Sequence, residues 1–312
     1  MGKIAYVFPG QGAQEVGMGA DAYEQHAEAA ACFREADEVL GYKLSEIIFQ
    51  GPEAELKLTY HTQPALLTTS CAYLKILAEN GVQPDYVAGH SLGEYSALVC
   101  AGVMSFRDAV HTVRKRGEFM DQAVPAGLGS MAAVIGGERD ALAELCAKVS
   151  REVGAVEMAN VNCPGQIVVS GTVQGVKGII ERGKEIGAKR VIPLEVSGPF
   201  HSSLMKPAAE RLQEVLAGID MQDAKVPVIA NVTAHPVTNG DEIRRLLVDQ
   251  VVSPVLWEDS VRWLLAQGVD TFVEIGPGAV LSGLIRKIDR SATVLTVNSC
   301  ESVQAAVEAL QG

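Results

Sequence analysis

The sequence predicts an α/β fold, a large domain around a parallel sheet with a smaller βαββαβ unit inserted in it. Three observations carry this reading. Short apolar runs of strand length alternate with longer amphipathic stretches, the pattern of strands joined by crossover helices. Between residues 127 and 197 the order changes to strand, helix, strand, strand, helix, strand. Finally, "AGHSLGEYSAL" (88–98) sets Gly89-His90-Ser91-Leu92-Gly93 between a short apolar strand and a helix-compatible run, the setting of a nucleophile elbow.

In chain order, "KIAYVF" (3–8) ends at Pro-Gly and reads as a buried first strand. The Ala- and Glu-rich 20–40 stretch reads as helix, as does 65–79, beginning after Gln63-Pro64. "DYVAGH" (85–90) is the strand before the serine turn; helices follow over 92–101 and 106–123, the second stopping before Pro125. Then come strand "GSMAAVIG", helix 138–150, strands "AVEMAN" and "QIVVSG", helix 172–186 and strand "AKRVIPL", the ferredoxin-like order. A helix at 202–217, strand "VPVIAN", helices near 240–250 and 257–267, strands "TFVEIG" and "TVLTVN" and a terminal helix complete the larger unit. The expected division is 1–126 with 198–312, and 127–197 as the insert.

With 312 residues and 48% hydrophobic content, the chain can bury a sizeable core. A formal net charge of -12 with only 5% aromatic residues argues against a nucleic-acid binder, which wants a basic face and stacking rings. The six cysteines, at 32, 71, 100, 146, 163 and 300, form no C-x-x-C pair, so reduced thiols are expected instead of a zinc site or disulfides. No apolar run reaches the roughly 18 residues that span a bilayer. "MGKIAYVFPG" lacks signal-peptide architecture, and Tyr6 stands where myristoylation requires Ser or Thr. The expectation is a soluble cytoplasmic protein with no metal and no cofactor.

Ser91 is the first candidate for chemistry. Gly89 and Gly93 suit any crowded turn, so the spelling alone leaves a structural serine open. The strand before it and the helix after it supply the context of a nucleophile, and a helix N-terminus offers N–H groups to an oxyanion. Such a serine needs a general base. Of the six histidines, His26 and His111 read as surface residues, His61 and His235 as loop residues, and His90 as pointing away from its neighbour. His201, in "VSGPFHSSLM", follows a loop enforced by Gly198-Pro199 and is the best candidate, an ordinary hydrogen-bonded histidine being the alternative. "FPGQGAQ" (8–14) is no dinucleotide fingerprint, since Glu15 stands where the third glycine belongs, and no P-loop. It is either a plain glycine turn or a loop whose backbone N–H groups face the serine.

"FPGQGAQ", "TQPALL", "AGHSLGEYSAL", "NVNCPGQIVVSG", "FHSSLMKPA" and "EIGPG" occur in this order over nearly the whole chain. On these motifs the sequence resembles the malonyl-CoA:acyl carrier protein transacylase family of bacterial fatty-acid synthesis, related to polyketide-synthase acyltransferase domains. The resemblance implies an α/β-hydrolase-like large domain with a ferredoxin-like insert. It implies transfer of malonyl from malonyl-CoA to the phosphopantetheine thiol of acyl carrier protein through a malonyl-serine. Ser91 is then the nucleophile, His201 its base, and the N–H groups of Gln11 and Leu92 the oxyanion hole, with the main-chain carbonyl of Gln250 orienting the histidine. Arg114-Lys115-Arg116 alone reads as a solvated helix patch. The resemblance singles out Arg116 as the fork for the free malonyl carboxylate, a bidentate task that lysine cannot reproduce. It also places Gln63, Asn160, Asn162 and Phe200 along the substrate cleft. The bulk of Phe200 is a hint against branched acyl groups, and turn chemistry before Pro164-Gly165 is an equal reading of the two asparagines. Malonyl-CoA and acyl carrier protein are the implied partners of a monomer that binds neither nucleic acid nor membrane.

Two alternatives stand beside this. A serine hydrolase would place an acid before its histidine, and nothing from 92 to 200 identifies itself as one; the patatin-like Ser-Asp dyad needs Asp-Gly, a pair this sequence lacks. A non-catalytic carrier-docking subunit would not need the intact set of Ser91, His201, Gln11 and Arg116. Both implied substrates are anionic, so a chain of net charge -12 needs a local basic patch, for which Lys189-Arg190 and Arg286-Lys287 are the candidates.

Overall fold

In the computed structural model, which describes residues 2–312, the first apolar run forms β1 (Lys3–Phe8). Tyr6 and Phe8 enter one core and Ala5 and Val7 the other. A strand covered on both faces reads as one unbroken apolar run, which is why "KIAYVF" shows no alternation. The 20–40 stretch is two helices, not the one expected: α1 (Ala20–Gln25) and α2 (Ala27–Leu40) are parted at His26, whose φ of -130° is extended. The break folds Tyr23 edge-on against Phe33, ring centroids 5.9 Å apart.

Two helices not anticipated follow, α3 (Leu44–Gln50) and α4 (Glu53–Leu56), both too short for a helical period to show. α5 (Thr59–Ala78) starts before Pro64, not after it. Proline leaves the Tyr60 carbonyl without its helical donor, and Arg114 Nη1 supplies one at 3.2 Å. His61, expected in a loop, is therefore buried on this helix, with Nδ1 2.9 Å from the Glu55 carbonyl oxygen. Then come β2 (Tyr86–Gly89), α6 (Gly93–Cys100) and α7 (Phe106–Gln122). Ser105 caps α7, its Oγ accepting from Asp108 N at 3.0 Å. The helix crosses α5 at Gly117, where a methyl group would lie 2.6 Å from Tyr60 Cα. That close crossing carries the neighbouring Arg116 to Gln63.

β3 (Gly129–Gly136), α8 (Arg139–Glu152), β4 (Val156–Cys163), β5 (Gln166–Thr172), α9 (Val173–Arg182) and β6 (Ala188–Pro193) follow the expected order. They make an antiparallel four-stranded sheet, β4-β5-β3-β6, with its own core around Val134, Val149, Val169 and Ile179. Its edge strand β4 is joined to the rest by backbone: Val255 N donates to Ala159 O at 2.8 Å and Val161 N to Val255 O at 2.9 Å.

Where one helix is expected over 202–217, a 3-10 turn (Ser203–Met205) leads into α10 (Lys206–Ala217). "VPVIAN" pairs only over β7 (Val228–Ile229). At Ala230 the chain turns, Ala234 N donating to the Ala230 carbonyl at 2.8 Å, and returns as β8 (Pro236–Val237), antiparallel to β7. The chain ends with α11 (Gly240–Val252), α12 (Trp257–Ala266), β9 (Val269–Ile275), α13 (Val280–Ile288), β10 (Thr293–Val297) and α14 (Cys300–Gln311). The large sheet runs β10-β9-β1-β2-β7-β8 and is parallel except at β8. The loops leaving the C-terminal ends of β1 and β2 therefore lie side by side, where sheets of this kind bind ligands. Among the described residues no helix is long and apolar enough to cross a membrane.

Candidate active site

Ser91 lies one residue past the end of β2, with φ of 52°. That left-handed backbone is unfavourable for a residue with a Cβ, and the packing around it must hold it there. The flanking glycines are demanded by close approach: a methyl on Gly89 would overlap the Gly93 carbonyl, and one on Gly93 the Phe8 carbonyl. This lets α6 start against β1 with its N-terminus under Ser91.

His201, also at positive φ (55°), brings Nε2 to 2.6 Å from Ser91 Oγ. Its Nδ1 lies 2.9 Å from the Gln250 main-chain oxygen. A carbonyl can only accept, so Nδ1 carries the proton and Nε2 presents its lone pair to the serine hydroxyl. Burial, and after it the Arg116 cation, push the imidazole down to about 3, which keeps it in the neutral, proton-accepting form. Gln11 and Leu92 line the same cavity as Ser91, and among the described residues no protein acceptor is recorded for the backbone N–H of either. The Gln11 side chain is exposed, with Nε2 3.4 Å from Thr59 Oγ1, which is 3.0 Å from Ser197 Oγ.

The three residues of the basic triplet on α7 differ in burial and partners. Arg114 and Lys115 pair with Glu118 at 2.8 and 3.1 Å, whereas Arg116 is 1% exposed. Its Nη1 donates to Gln63 Oε1 at 2.8 Å, and its Nη2 to Gln250 Oε1 at 2.9 Å and Ser91 Oγ at 3.2 Å. Nε has no acceptor. Among the described residues no carboxylate forms an ion pair with this guanidinium. A buried cation with neutral partners only is poised for an anion that the protein itself does not supply.

A cavity of about 130 Å³ opens over Ser91, walled by Met120, Met131, Leu194, Val196 and Phe200, with Asn160 on its rim. It continues into a cleft of about 280 Å³ that reaches Asn162, Gln166 and the start of α13. Asn162 thus sits in the outer cleft, its Oδ1 2.8 Å from His90 Nε2, so His90 does point away from the serine. Gln63 and Gln250 stand behind Arg116 and outside the cavity wall. A larger open groove of about 760 Å³ beside α14 holds none of these residues. Among the described residues no cluster of His, Cys, Asp and Glu could hold a metal ion.

Two buried residues escaped the sequence reading. Asn231, left under the serine loop by the turn after β7, accepts from Ser91 N at 2.9 Å through Oδ1 and donates to Gly89 O at 2.6 Å through Nδ2. Glu94, in the first turn of α6, accepts at 2.8 Å from Gln250 Nε2, which also reaches Ser91 O and Asn231 Oδ1. Burial raises its carboxyl to about 7. Glu94 left one signal, as the lone charge in the apolar helix GEYSALVC; Asn231 left none.

The acyl transferase domain model matches residues 5–306. The malonyl CoA-acyl carrier protein transacylase of Bacillus subtilis (strain 168) is 57% identical over 311 residues, covering 100% of this chain and 98% of that protein. The acyl-carrier-protein-S-malonyltransferase of Bartonella henselae superposes with a TM-score of 0.96 at 43% identity, over 99% of this chain and 100% of that one. A malonyl-transacylase solved in complex with its holo type II PKS acyl-carrier protein superposes with a TM-score of 0.95 at 43% identity, over 98% of this chain and 99% of that one. With a turn-held serine, a neutral histidine and an unpaired buried arginine meeting in one cavity, and these matches running end to end, the chain belongs to the acyl transferase domain family.

Proposed function

We propose that the protein transfers malonyl from malonyl-CoA to the phosphopantetheine thiol of acyl carrier protein through a malonyl-Ser91 ester. The observation that carries this is Arg116, a buried cation without a carboxylate partner, 3.2 Å from the serine oxygen. A free carboxylate on the acyl group completes it. Ser91 Oγ attacks the thioester carbon while its proton passes to His201 Nε2, and the oxyanion is held by the N–H groups of Gln11 and Leu92. The imidazolium faces the Gln250 carbonyl, a dipole and not a full countercharge. Coenzyme A leaves as the thiol with that proton. The carrier thiol then attacks the ester by the same steps in reverse, His201 taking its proton.

A Ser-Asp dyad is not how this serine is set, since its Oγ meets His201 and Arg116. In this reading 1–126 and 198–312 form the catalytic domain, 127–197 the insert, and Asn160, Asn162 and Phe200 border the acyl and pantetheine path. A cytoplasmic monomer that needs no cofactor belongs to the same proposal, on the family resemblance. Intact-protein mass spectrometry after mixing with malonyl-CoA tests it: one malonyl adduct is expected, absent in Ser91→Ala and discharged by holo carrier protein. An adduct that persists in Ser91→Ala, or that water removes as fast as carrier does, overturns it.

A further inference from the structure

We infer that Asn231 is a positioning residue for this transfer, its side-chain amide locking the serine turn and its acceptor tying that turn to the residue that orients the histidine. The inference rests on the proposed function, because it gives Asn231 a task in acylation of Ser91.

The amide bridges the two residues on either side of His90. Oδ1 takes the Ser91 N–H at 2.9 Å and Nδ2 gives to the Gly89 carbonyl at 2.6 Å. These bonds span the peptide segment whose φ at Ser91 is 52°, a conformation that persists only where surrounding bonds over-determine it. The same Oδ1 lies 3.1 Å from Gln250 Nε2, whose two hydrogens are shared among it, Ser91 O and Glu94 Oε2. Gln250 in turn presents its main-chain oxygen to His201 and its Oε1 to Arg116. Glu94 closes the cluster, accepting from Gln250 Nε2 and from Asn231 N. Asn231 is 1% exposed and Gln250 is fully buried, so no water competes for these bonds. One side chain therefore sets nucleophile, base and acyl clamp in a common frame. It does so through other residues, since it does not line the cavity.

Asparagine alone among side chains of its size accepts toward Ser91 and donates toward Gly89 at neutral pH. Aspartate keeps the volume and the acceptor but turns a second oxygen on the Gly89 carbonyl, and it works only when protonated. The ionisable groups that face position 231 are Glu94 on α6 and, one hydrogen bond further through Gln250, Arg116 on α7 and His201. The native protein carries all of these, so a rate ionisation present only in Asn231→Asp belongs to position 231.

The test is single-turnover formation of the Ser91 ester from malonyl-CoA, with circular dichroism to confirm folding. Asn231→Ala should slow the step at saturating malonyl-CoA by on the order of 10- to 100-fold, with half-saturation unchanged. Asn231→Asp should be slow at neutral pH and regain rate as pH falls. Native rates in both variants, or a loss confined to half-saturation with a native pH profile in Asn231→Asp, would overturn the inference. If the alanine variant does not fold, the aspartate profile alone decides. A native protein that forms no Ser91 ester overturns the proposed function itself, and that result is read apart from any variant.

Discussion

Replacing Arg116 with alanine probes the carboxylate clamp, and the structure sets the size of the effect. A guanidinium has five N–H donors. Three of them go to Gln63 Oε1, Gln250 Oε1 and, weakly at 3.2 Å, Ser91 Oγ. The Nε–H is free, as is the second Nη1–H, and the long Ser91 contact can exchange for a stronger acceptor. A malonyl carboxylate taking two donors gains two charge-assisted bonds of about 1.5–3 kcal/mol each. Near the lower end, because one contact is exchanged and not newly made, their loss is about 3–4 kcal/mol, or roughly 10²- to 10³-fold. The variant also strands the Gln63 and Gln250 oxygens and loosens the His201 support, but that burden falls on every acyl group alike. The discriminating quantity is therefore the ratio of kcat/KM for malonyl-CoA to that for acetyl-CoA, read by rapid-quench acyl-enzyme formation. It should fall by the stated factor in Arg116→Ala and recover only in part in Arg116→Lys, which restores charge without the fork. An unchanged ratio, however large the common loss, would refute the clamp and leave Arg116 as scaffolding.

Stability should carry an opposed pair of pH terms. His201 is held down at about 3 against 6.5, so its contribution is present above 6.5 and lost as pH falls toward 3. Glu94 is raised from 4.5 to about 7, so its contribution is present below 4.5 and lost as pH rises toward 7. The two cancel between 4.5 and 6.5, and below 4.5 the His201 loss stands alone at about 1.4 kcal/mol per pH unit. Glu94→Gln removes the compensation, and urea midpoints should begin to fall near pH 6.5 in the variant; parallel curves would sink the reasoning. For the carrier, Lys189-Arg190 opens β6 and Arg286-Lys287 lies in the last turn of α13, all four side chains exposed, while the first turns of α13 border the outer cleft. Reversing either pair to Glu-Glu should slow the carrier step through association, spare malonylation from malonyl-CoA, and weaken its salt dependence. A pair whose reversal leaves carrier kinetics and salt response unchanged does not dock it.

What was legible in the sequence was what local rules govern. The serine turn could be read because strand, glycine spacing and helix N-terminus are contiguous, and the βαββαβ order because each element is long enough to show its period. Pro64 misled because the donor that satisfies the Tyr60 carbonyl comes from Arg114, distant in sequence and unforeseeable from helix rules. β7 was overextended because its apolar run continues past the point where the chain turns at Ala230. The base and the arginine were reachable through motif and resemblance, whereas the bonds between Asn231, Glu94 and Gln250 join three elements by side chains that follow no spacing. Such a network exists only once the sheet has brought β2, β7 and α11 together.

The backbone pairing of Val255 with β4 fastens the four-stranded unit to the large domain. Ladder bonds do not depend on side-chain identity, and at β4 they also occupy a sheet edge that would otherwise lie open to pairing. On the other side of the cleft the return segment is held to the large domain by side chains, Ser197 Oγ meeting Thr59 Oγ1 and donating to Asp121 Oδ1. Separation along the Val255 line would break two buried backbone bonds together. At Ser197 the bond to Asp121 is exposed, while the one to Thr59 ends on a buried hydroxyl. The four-stranded unit is thus joined to the large domain by sequence-independent backbone bonds at Val255 and by side-chain bonds at Ser197, so substitutions can loosen the second attachment but not the first.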